Sequence, residues 1–182
     1  MDKKTILLGV SASIAAYKAL DIIRSFVKKN FNVECILTKN ACNFITPLSV
    51  QTLSKNSVYT DMFEKISHWD IEHISLPQKA SVFLIAPASA NIIARLASGM
   101  ADDFLTSAVL ACKAPILIAP AMNSNMYSHP AFIKNLQTLK SFGYKIIEPQ
   151  KGELACGAIG DGRLADIETI VEKTISEILV KS

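Results

Sequence analysis

An α/β three-layer sandwich, with a mainly parallel sheet between two layers of helix, is the fold class that the sequence predicts. Two observations predict it. Short runs such as "TILLGV" (5–10), "SVFLIAP" (81–87) and "APILIAP" (114–120) are apolar at almost every position. A strand that is apolar on both faces is covered on both, the condition of strands in a parallel sheet. Helical segments separate these runs, and strands alternating with helices build parallel crossovers. The class is therefore Rossmann-like (flavodoxin-like). In such sheets ligands bind beyond the carboxyl ends of the strands. The loops 9–14, 38–45, 86–91 and 120–127 each begin where a strand ends, so they are the candidate site segments.

The elements follow in order. After the strand at 5–10, a helix is expected over about 13–29, with Ala16, Leu20, Ile23 and Val27 on its apolar face. "NVECILT" (32–38) is the second strand. Residues 40–60 read as partly helical, interrupted by Pro47. The strand at 81–87 runs into a helix, "SANIIARLASG" (89–99), that Gly99 can end. Asp102 and Asp103 open a further helix to about Cys112. The strand at 114–120 precedes a helix start at Ser128, His129 and Pro130, with Ser128 or His129 capping and proline in the first turn. "YKIIEP" (144–149) is the fifth strand, and the last helix covers about 166–180.

With 182 residues, half of them hydrophobic, the chain fills one domain (1–182) with a sizeable core. The net charge of +3 comes without a basic block, so nucleic acid is not an expected partner. No apolar run reaches the roughly 18 residues of a membrane span. The start imitates a signal peptide, but Ser11 and Ser13 interrupt it, and Lys18, Asp21, Arg24 and Lys28 then recur at helical spacing. The four cysteines, Cys35, Cys42, Cys112 and Cys156, form no C-x-x-C pair and suit no metal site. A reduced, cytoplasmic setting is expected.

Read locally, each loop has a plain and a chemical reading. "GVSASIAAYK" carries Ser11, Ser13 and helix-start amides that suit a phosphate; an ordinary capped turn is the alternative. "APASAN" offers small residues that admit a flat ring, while Ser89 also fits a helix cap. "PAMNSNMYSHP" holds Asn123, whose amide can meet both a carboxylate and a peptide group, or is a polar turn between core methionines. A lone histidine such as His73 is more often structural than catalytic, and His68 and His129 have no distinctive setting. "ELACGAIGDGRLAD" (153–166) sets Cys156 in a segment with three glycines, built like a mobile loop.

Taken together, in this order and on these loops, the segments resemble the homo-oligomeric flavin-containing cysteine decarboxylases, over about residues 5–172. "PASAN…GMADDFLT" is similar to that family's flavin loop, and "PAMNSNMY" to its Pro-x-Met-Asn-x-x-Met-Trp motif. "HISL" resembles its histidine segment, and "ACGAIGDGRLAD" its substrate-recognition clamp, here about 150–166. Ala12 stands where glycine is frequent, Ile92 replaces threonine and Tyr127 replaces tryptophan. Ser75, Lys79 and Ser81 also depart from the pattern.

The resemblance implies FMN as cofactor, held by Ser11, Ser13, Ile14, Thr38, Ser89, Ala90, Asn91 and Ala121. It implies a substrate held by Asn123, Ala155, Gly157 and Arg163, with His73 and Cys156 catalytic. The implied activity is decarboxylation of 4′-phosphopantothenoylcysteine to 4′-phosphopantetheine in coenzyme A biosynthesis. The implied assembly is a homotrimer, or a dodecamer of four trimers. The chain ends about ten residues after the resemblance, so a separate ligase is expected to supply the substrate. Direct loss of CO2 from an N-acylated cysteine leaves a carbanion with no electron sink. Oxidation of CH2–SH to a thioaldehyde supplies one, and a flavin can accept the two electrons. By resemblance, His73 is the base of that oxidation, Asn123 grips the carboxylate, and Cys156 gives a proton to the enethiol. Cys35, Cys42 and Cys112 read as structural. A peptidyl-cysteine decarboxylase, a flavin prenyltransferase and a non-catalytic flavin-binding regulatory protein are the alternatives.

Overall fold

The run Thr5–Val10 forms the central strand, β1, of a six-stranded sheet in the computed structural model, which describes residues 3–62, 72–153, 157 and 159–180. Its side chains alternate between two cores. Ile6, Leu8 and Val10 enter one, and Leu7 enters the other. Gly9 points into the second core as well: a Cβ there would lie 2.6 Å from Leu105 Cδ1. The glycine lets a covering helix approach the strand.

The other strands are β2 (Asn32–Leu37), β3 (Val58–Tyr59), β4 (Val82–Ala88), β5 (Ile116–Pro120) and β6 (Lys145–Ile146). They are ordered β3-β2-β1-β4-β5-β6, with every pairing parallel. Without the two-residue edge strand β3, this is the flavodoxin order. β4 repeats the logic of β1, with Val82 and Leu84 on one core and Phe83 and Ile85 on the other.

One face is covered by α1 (Lys18–Lys28), α2 (Pro47–Ser54) and α8 (Ile167–Val180). The other is covered by α3 (Glu72–Lys79), α4 (Ala90–Ala97), α5 (Phe104–Ala111) and α7 (Pro130–Ser141). Helix starts sit where their caps put them. Asp103 accepts from Thr106 N–H while Thr106 reaches back to Asp103 N–H, a reciprocal capping box. His129, rather than Ser128, caps α7: its Nδ1 accepts from Ala131 N–H at 3.1 Å, with Pro130 at the first position.

Five expectations need correction. The first helix begins as a 3-10 turn, Ile14–Tyr17, before α1. Its core face is Ala19, Ile22, Ile23 and Phe26, with Leu20 and Val27 only half-buried. Pro47 does not interrupt a helix but starts α2, capped by Thr46. The strand expected over 144–149 is confined to Lys145–Ile146. The glycine-rich stretch is not a simple loop: β7 (Gln150–Glu153) and β8 (Ile159–Arg163) pair antiparallel. β3, α3 and a short helix α6 (Ser124–Tyr127) were not anticipated. Among the described residues, no helix is long and apolar enough to cross a membrane.

Topology positions the site. From β1 the chain departs into α1 on one face, and from β4 into α4 on the opposite face. The two adjacent strands therefore send their connections apart, opening a crevice at their carboxyl ends.

Candidate active site

The crevice holds a cavity of about 660 Å³ with two unlike walls. The first wall is made by the turns after β1 and β4. It presents Ala12, Ser13, Ile14 and Ala15, then Tyr17 and Lys18, and, facing them, Ser89 and Ala90. Side chains this small leave backbone accessible along the wall. Ser13 caps the 3-10 turn, accepting from Ala15 N–H at 3.3 Å while donating to Ala121 O at 3.3 Å. Ser89 caps α4 through Ile92 N–H. Two helix starts therefore face one space, each with the positive end of its backbone dipoles toward it.

Ser11 lies behind this wall, 1% exposed. Its hydroxyl donates to Pro87 O at 2.9 Å and accepts from Ser89 N–H at 2.8 Å. It locks the two turns together, so its part is to position the wall. Thr38 and Asn91 are also absent from the wall among the described residues. Thr38 caps the turn Lys39–Asn43, and Asn91 sits exposed in the first turn of α4. Of the residues expected to hold a cofactor, Ser13, Ile14, Ser89, Ala90 and Ala121 come together.

The second wall joins α6 to the hairpin. It presents Ala121, Met122, Asn123 and Met126 opposite Gly162, Arg163 and Leu164. Asn123 caps α6, with its Oδ1 accepting from Asn125 N–H at 2.9 Å. β8 is pressed against this helix start. Met122 N–H donates to Gly162 O at 2.9 Å. Gly162 has φ +117, and a Cβ there would fall 2.4 Å from Met122 O. At Gly160 a Cβ would fall 2.8 Å from Ser124 Cβ. Only glycine admits this contact. Arg163 lies across Gly152 on the neighbouring strand, its Nη1 3.0 Å from where a Cβ would stand.

The second wall is braced from outside. Tyr127 Oη donates to Glu148 Oε2 at 2.9 Å, and Lys140 Nζ holds Glu148 Oε1 at 3.2 Å. Burial, reinforced by Glu148, pushes the Tyr127 phenol well above its ordinary value, so it stays protonated and keeps donating. The first wall is braced by Arg95 of α4, which pairs with Asp103 at 2.8 Å and with Asp102.

Gly157 is described, exposed and at φ +80; Ala155 and Cys156 lie outside the described residues. His73 falls in the first turn of α3, and its side chain likewise lies outside them; His68 does too. Cys35 is fully buried, and that burial pushes its thiol far up, which makes it inert. Cys42 and Cys112 are half-buried, their thiols donating to Thr38 O at 3.7 Å and to Pro77 O at 3.8 Å. Tyr17, Lys18 and Met126 are among the wall residues to which the sequence reading gave no role. The available signal was helical spacing, since Ile14, Tyr17 and Lys18 fall at i, i+3 and i+4 and share a face.

Comparison with known proteins fits this geometry. A family model described as Flavoprotein matches residues 1–179. The chain is 48% identical over 172 residues to a probable phosphopantothenoylcysteine decarboxylase of Streptococcus mutans, covering 93% of this chain and 96% of that one. It is 46% identical over 172 residues to the coenzyme A biosynthesis bifunctional protein CoaBC of Bacillus subtilis, covering 94% of this chain but 42% of that protein's length. Among solved structures, a PPC decarboxylase mutant complexed with pantothenoylaminoethenethiol superimposes with a TM-score of 0.87 at 31% identity, each chain fully covered. The FMN binding protein AtHal3 gives 0.85 at 31%, covering 100% of this chain and 99% of that one. The resemblance read from the loops is thus borne out, and the chain belongs to the Flavoprotein family.

Proposed function

We propose that this chain is an FMN-dependent phosphopantothenoylcysteine decarboxylase, a carboxy-lyase that converts 4′-phosphopantothenoylcysteine to 4′-phosphopantetheine in coenzyme A biosynthesis. The observation that carries the reading is one cavity bounded by two capped helix starts, Asn123 and the glycine-docked strand of the "GDGRLAD" segment. The S. mutans relative, matched along nearly all of both chains, supports it.

The residues fit FMN. The cavity has the size of a small-molecule site. The helix start at Ser13 and Ile14 suits a phosphate. Ser89, Ala90 and Ala121 leave room for a flat ring against backbone, with Ser11 fixing their spacing. Thr38 and Asn91, off the described wall, are assigned to the same cofactor on the resemblance alone. Bound FMN would supply the two-electron acceptor that lets the CH2–SH group become a thioaldehyde and that returns the pair at the end.

The chain's own residues do the rest. Asn123 presents its amide to the substrate carboxylate and the adjoining amide, which fixes the C–C bond to be broken. With Oδ1 turned to Asn125 N–H, the amide nitrogen is the group that meets the carboxylate. His73 takes the proton released as the thiol carbon is oxidised; its ordinary pKa near 6.5 suits that task. CO2 then leaves as the bond's electrons move to sulfur, giving an enethiolate that takes back the proton held by His73 as an enethiol. Cys156 donates the proton that, with the returned hydride, completes the saturated thiol. Ala155, Gly157 and Arg163 hold the substrate from the clamp at about 150–166, closed from the hairpin. The whole chain, 1–182, acts as one decarboxylase domain.

The proposed assembly is a homotrimer, alone or as four trimers in a dodecamer. Exposed Ile14, Tyr17 and Met126 at the cavity support burial of its rim against another copy. The proposed setting is cytoplasmic, with a ligase supplying the substrate; the fused bifunctional relative supports that link. The test is anaerobic incubation of the FMN-loaded protein with 4′-phosphopantothenoylcysteine. Release of CO2 and a saturated thiol supports the reading. Activity only on a peptide ending in cysteine, or no flavin after reconstitution, overturns it.

A further inference from the structure

The cavity wall carries two cations, Lys18 and Arg163, and among the described residues no carboxylate. They come from opposite walls, Lys18 from the first turn of α1 and Arg163 from the end of β8. Neither makes an ion pair among the described residues. Each has one acidic neighbour along its own element, and neither pairs with it among the described residues. Asp21, three residues beyond Lys18, lines a separate hollow with Arg24 and Lys28. Asp161, two residues before Arg163, contributes to the field on Tyr127. The cations that brace the walls, Arg95 and Lys140, are committed to Asp102, Asp103 and Glu148. The Arg163 side chain lies over Gly152, its Nη1 3.0 Å from where a Cβ would stand.

An excess of positive charge facing a concave, otherwise neutral wall selects an anion. A planar guanidinium beside an ammonium matches a phosphate dianion, the first through paired N–H donors and the second as a point charge. Resting on the function proposed above, we propose that Lys18 and Arg163 form a phosphate-monoester subsite of the cavity, distinct from the Ser13–Ile14 helix start, and that it takes the 4′-phosphate of the substrate. The reacting end meets Asn123, and the far end is tied down by one cation from each wall. The two cations then bridge the crevice only when a phosphorylated ligand is present, and the subsite sets the preference for phosphorylated over unphosphorylated acylcysteines. The cofactor's own phosphate shares this chemistry, so the test separates the two sources.

The test uses the FMN-loaded protein, with Lys18→Gln, Arg163→Gln, the double variant, and Lys18→Arg as the conservative control. Two ratios are read: kcat/KM for 4′-phosphopantothenoylcysteine over pantothenoylcysteine, and affinity of the stripped protein for FMN over riboflavin, by fluorescence quenching. Calorimetric binding of 4′-phosphopantetheine against pantetheine repeats the first ratio without turnover. Each Gln variant is expected to lower the substrate ratio about tenfold or more, the scale of a charged hydrogen bond. Lys18→Arg restores most of it, and the FMN-over-riboflavin ratio holds. Raised salt should lower the native ratio in the same direction. A fall in the FMN-over-riboflavin ratio instead assigns the cations to the cofactor and overturns the substrate assignment. If neither ratio moves, there is no phosphate subsite here. If the native protein turns over neither acylcysteine, the function reading fails on its own, while the product-binding and cofactor ratios still decide the subsite.

Discussion

The two walls of the cavity are built on different principles. The wall after β1 and β4 is set by sheet and helix caps. Its turns leave buried parallel strands, and one buried serine, Ser11, ties them together through Pro87 O and Ser89 N–H. In the second wall α6 follows β5, but the β7–β8 hairpin is a separate two-stranded sheet. It holds because glycines let the β8 backbone come close, Gly162 on the Met122 carbonyl and Gly160 on the Ser124 side chain. The first wall is suited to keep a cofactor in one place. The second is suited to carry groups that meet a changing substrate. The contrast implies separable failures: damage to the capped turns of the first wall, at Ser11, Ser13 and Ser89, should loosen flavin, and damage to the second wall should spare flavin and stop turnover.

The largest effect that tests this division is Asn123→Asp. Aspartate caps a helix as well as asparagine does, so α6 should stay in place and flavin content should hold. The new negative charge would face the substrate carboxylate. At roughly 4 Å and an effective dielectric near 20 the repulsion is about 4 kcal/mol, or on the order of a thousandfold in affinity. Substrate titration of the FMN-loaded variant measures it. Near-normal binding would mean that the carboxylate is gripped elsewhere and that the second wall lacks its assigned role.

The same division explains what the sequence revealed and what it hid. The first wall was legible because local rules determine it. Continuous apolar runs mark β1, β4 and β5, and Ser13, Ser89 and Asp103 cap the helices they precede. The second wall depends on pairings at a distance. Glycine in isolation signals freedom, so Gly160 and Gly162 read as loop, although their lack of a Cβ is what allows β8 to dock. Lys18 is at helical spacing from Ile14, but only the crevice between β1 and β4 turns that face into a wall. Ser11 was read as a ligand contact because a serine in such a loop looks alike from the sequence, whether it faces the cavity or stands behind it.

Gly162→Ala should come next in size and break the second wall alone. The methyl group would meet Met122 O at 2.4 Å while the backbone holds φ +117. Positive φ and the clash together should cost about 3 kcal/mol or more locally. The expected outcome is protease sensitivity within 150–166 and lost turnover, with the yellow cofactor retained. Loss of flavin in step with turnover would show the walls to be one unit.

Ser11→Ala is the matching break in the first wall. It leaves the partly buried Ser89 N–H without its acceptor, which costs about 1 kcal/mol or more. Melting temperature and flavin affinity should both fall. Substrate affinity of the flavin-saturated protein should change far less. Ser13→Ala, which removes a cap at the rim, should cost less stability, about 1 kcal/mol. A Ser11→Ala protein with native flavin affinity would mean that the spacing of the two turns is fixed by the sheet and not by the hydroxyl.

The smallest effect concerns the brace behind the first wall. Arg95 pairs with Asp103 at 2.8 Å and with the more exposed Asp102. The hydrogen bond from Arg95 is the main cause holding the Asp102 carboxyl below its ordinary value. A carboxylate whose pKa is depressed in the folded state contributes stability above its unfolded pKa, and that contribution is lost as pH falls through the folded value. Asp102→Asn removes the contribution and leaves the Asp103 pairing in place. The variant should therefore melt slightly below the native protein at pH 7. The gap should begin to close as the pH falls below the ordinary aspartate value, about 4, and vanish below the lower folded value, where the native Asp102 is neutral as well. Salt should narrow the gap at pH 7, since the pair is partly in solvent. Paired melting curves across pH 3 to 7 measure it. A gap that persists unchanged at low pH would assign the effect to packing rather than charge, and the brace at the back of α4 would then be Asp103 alone.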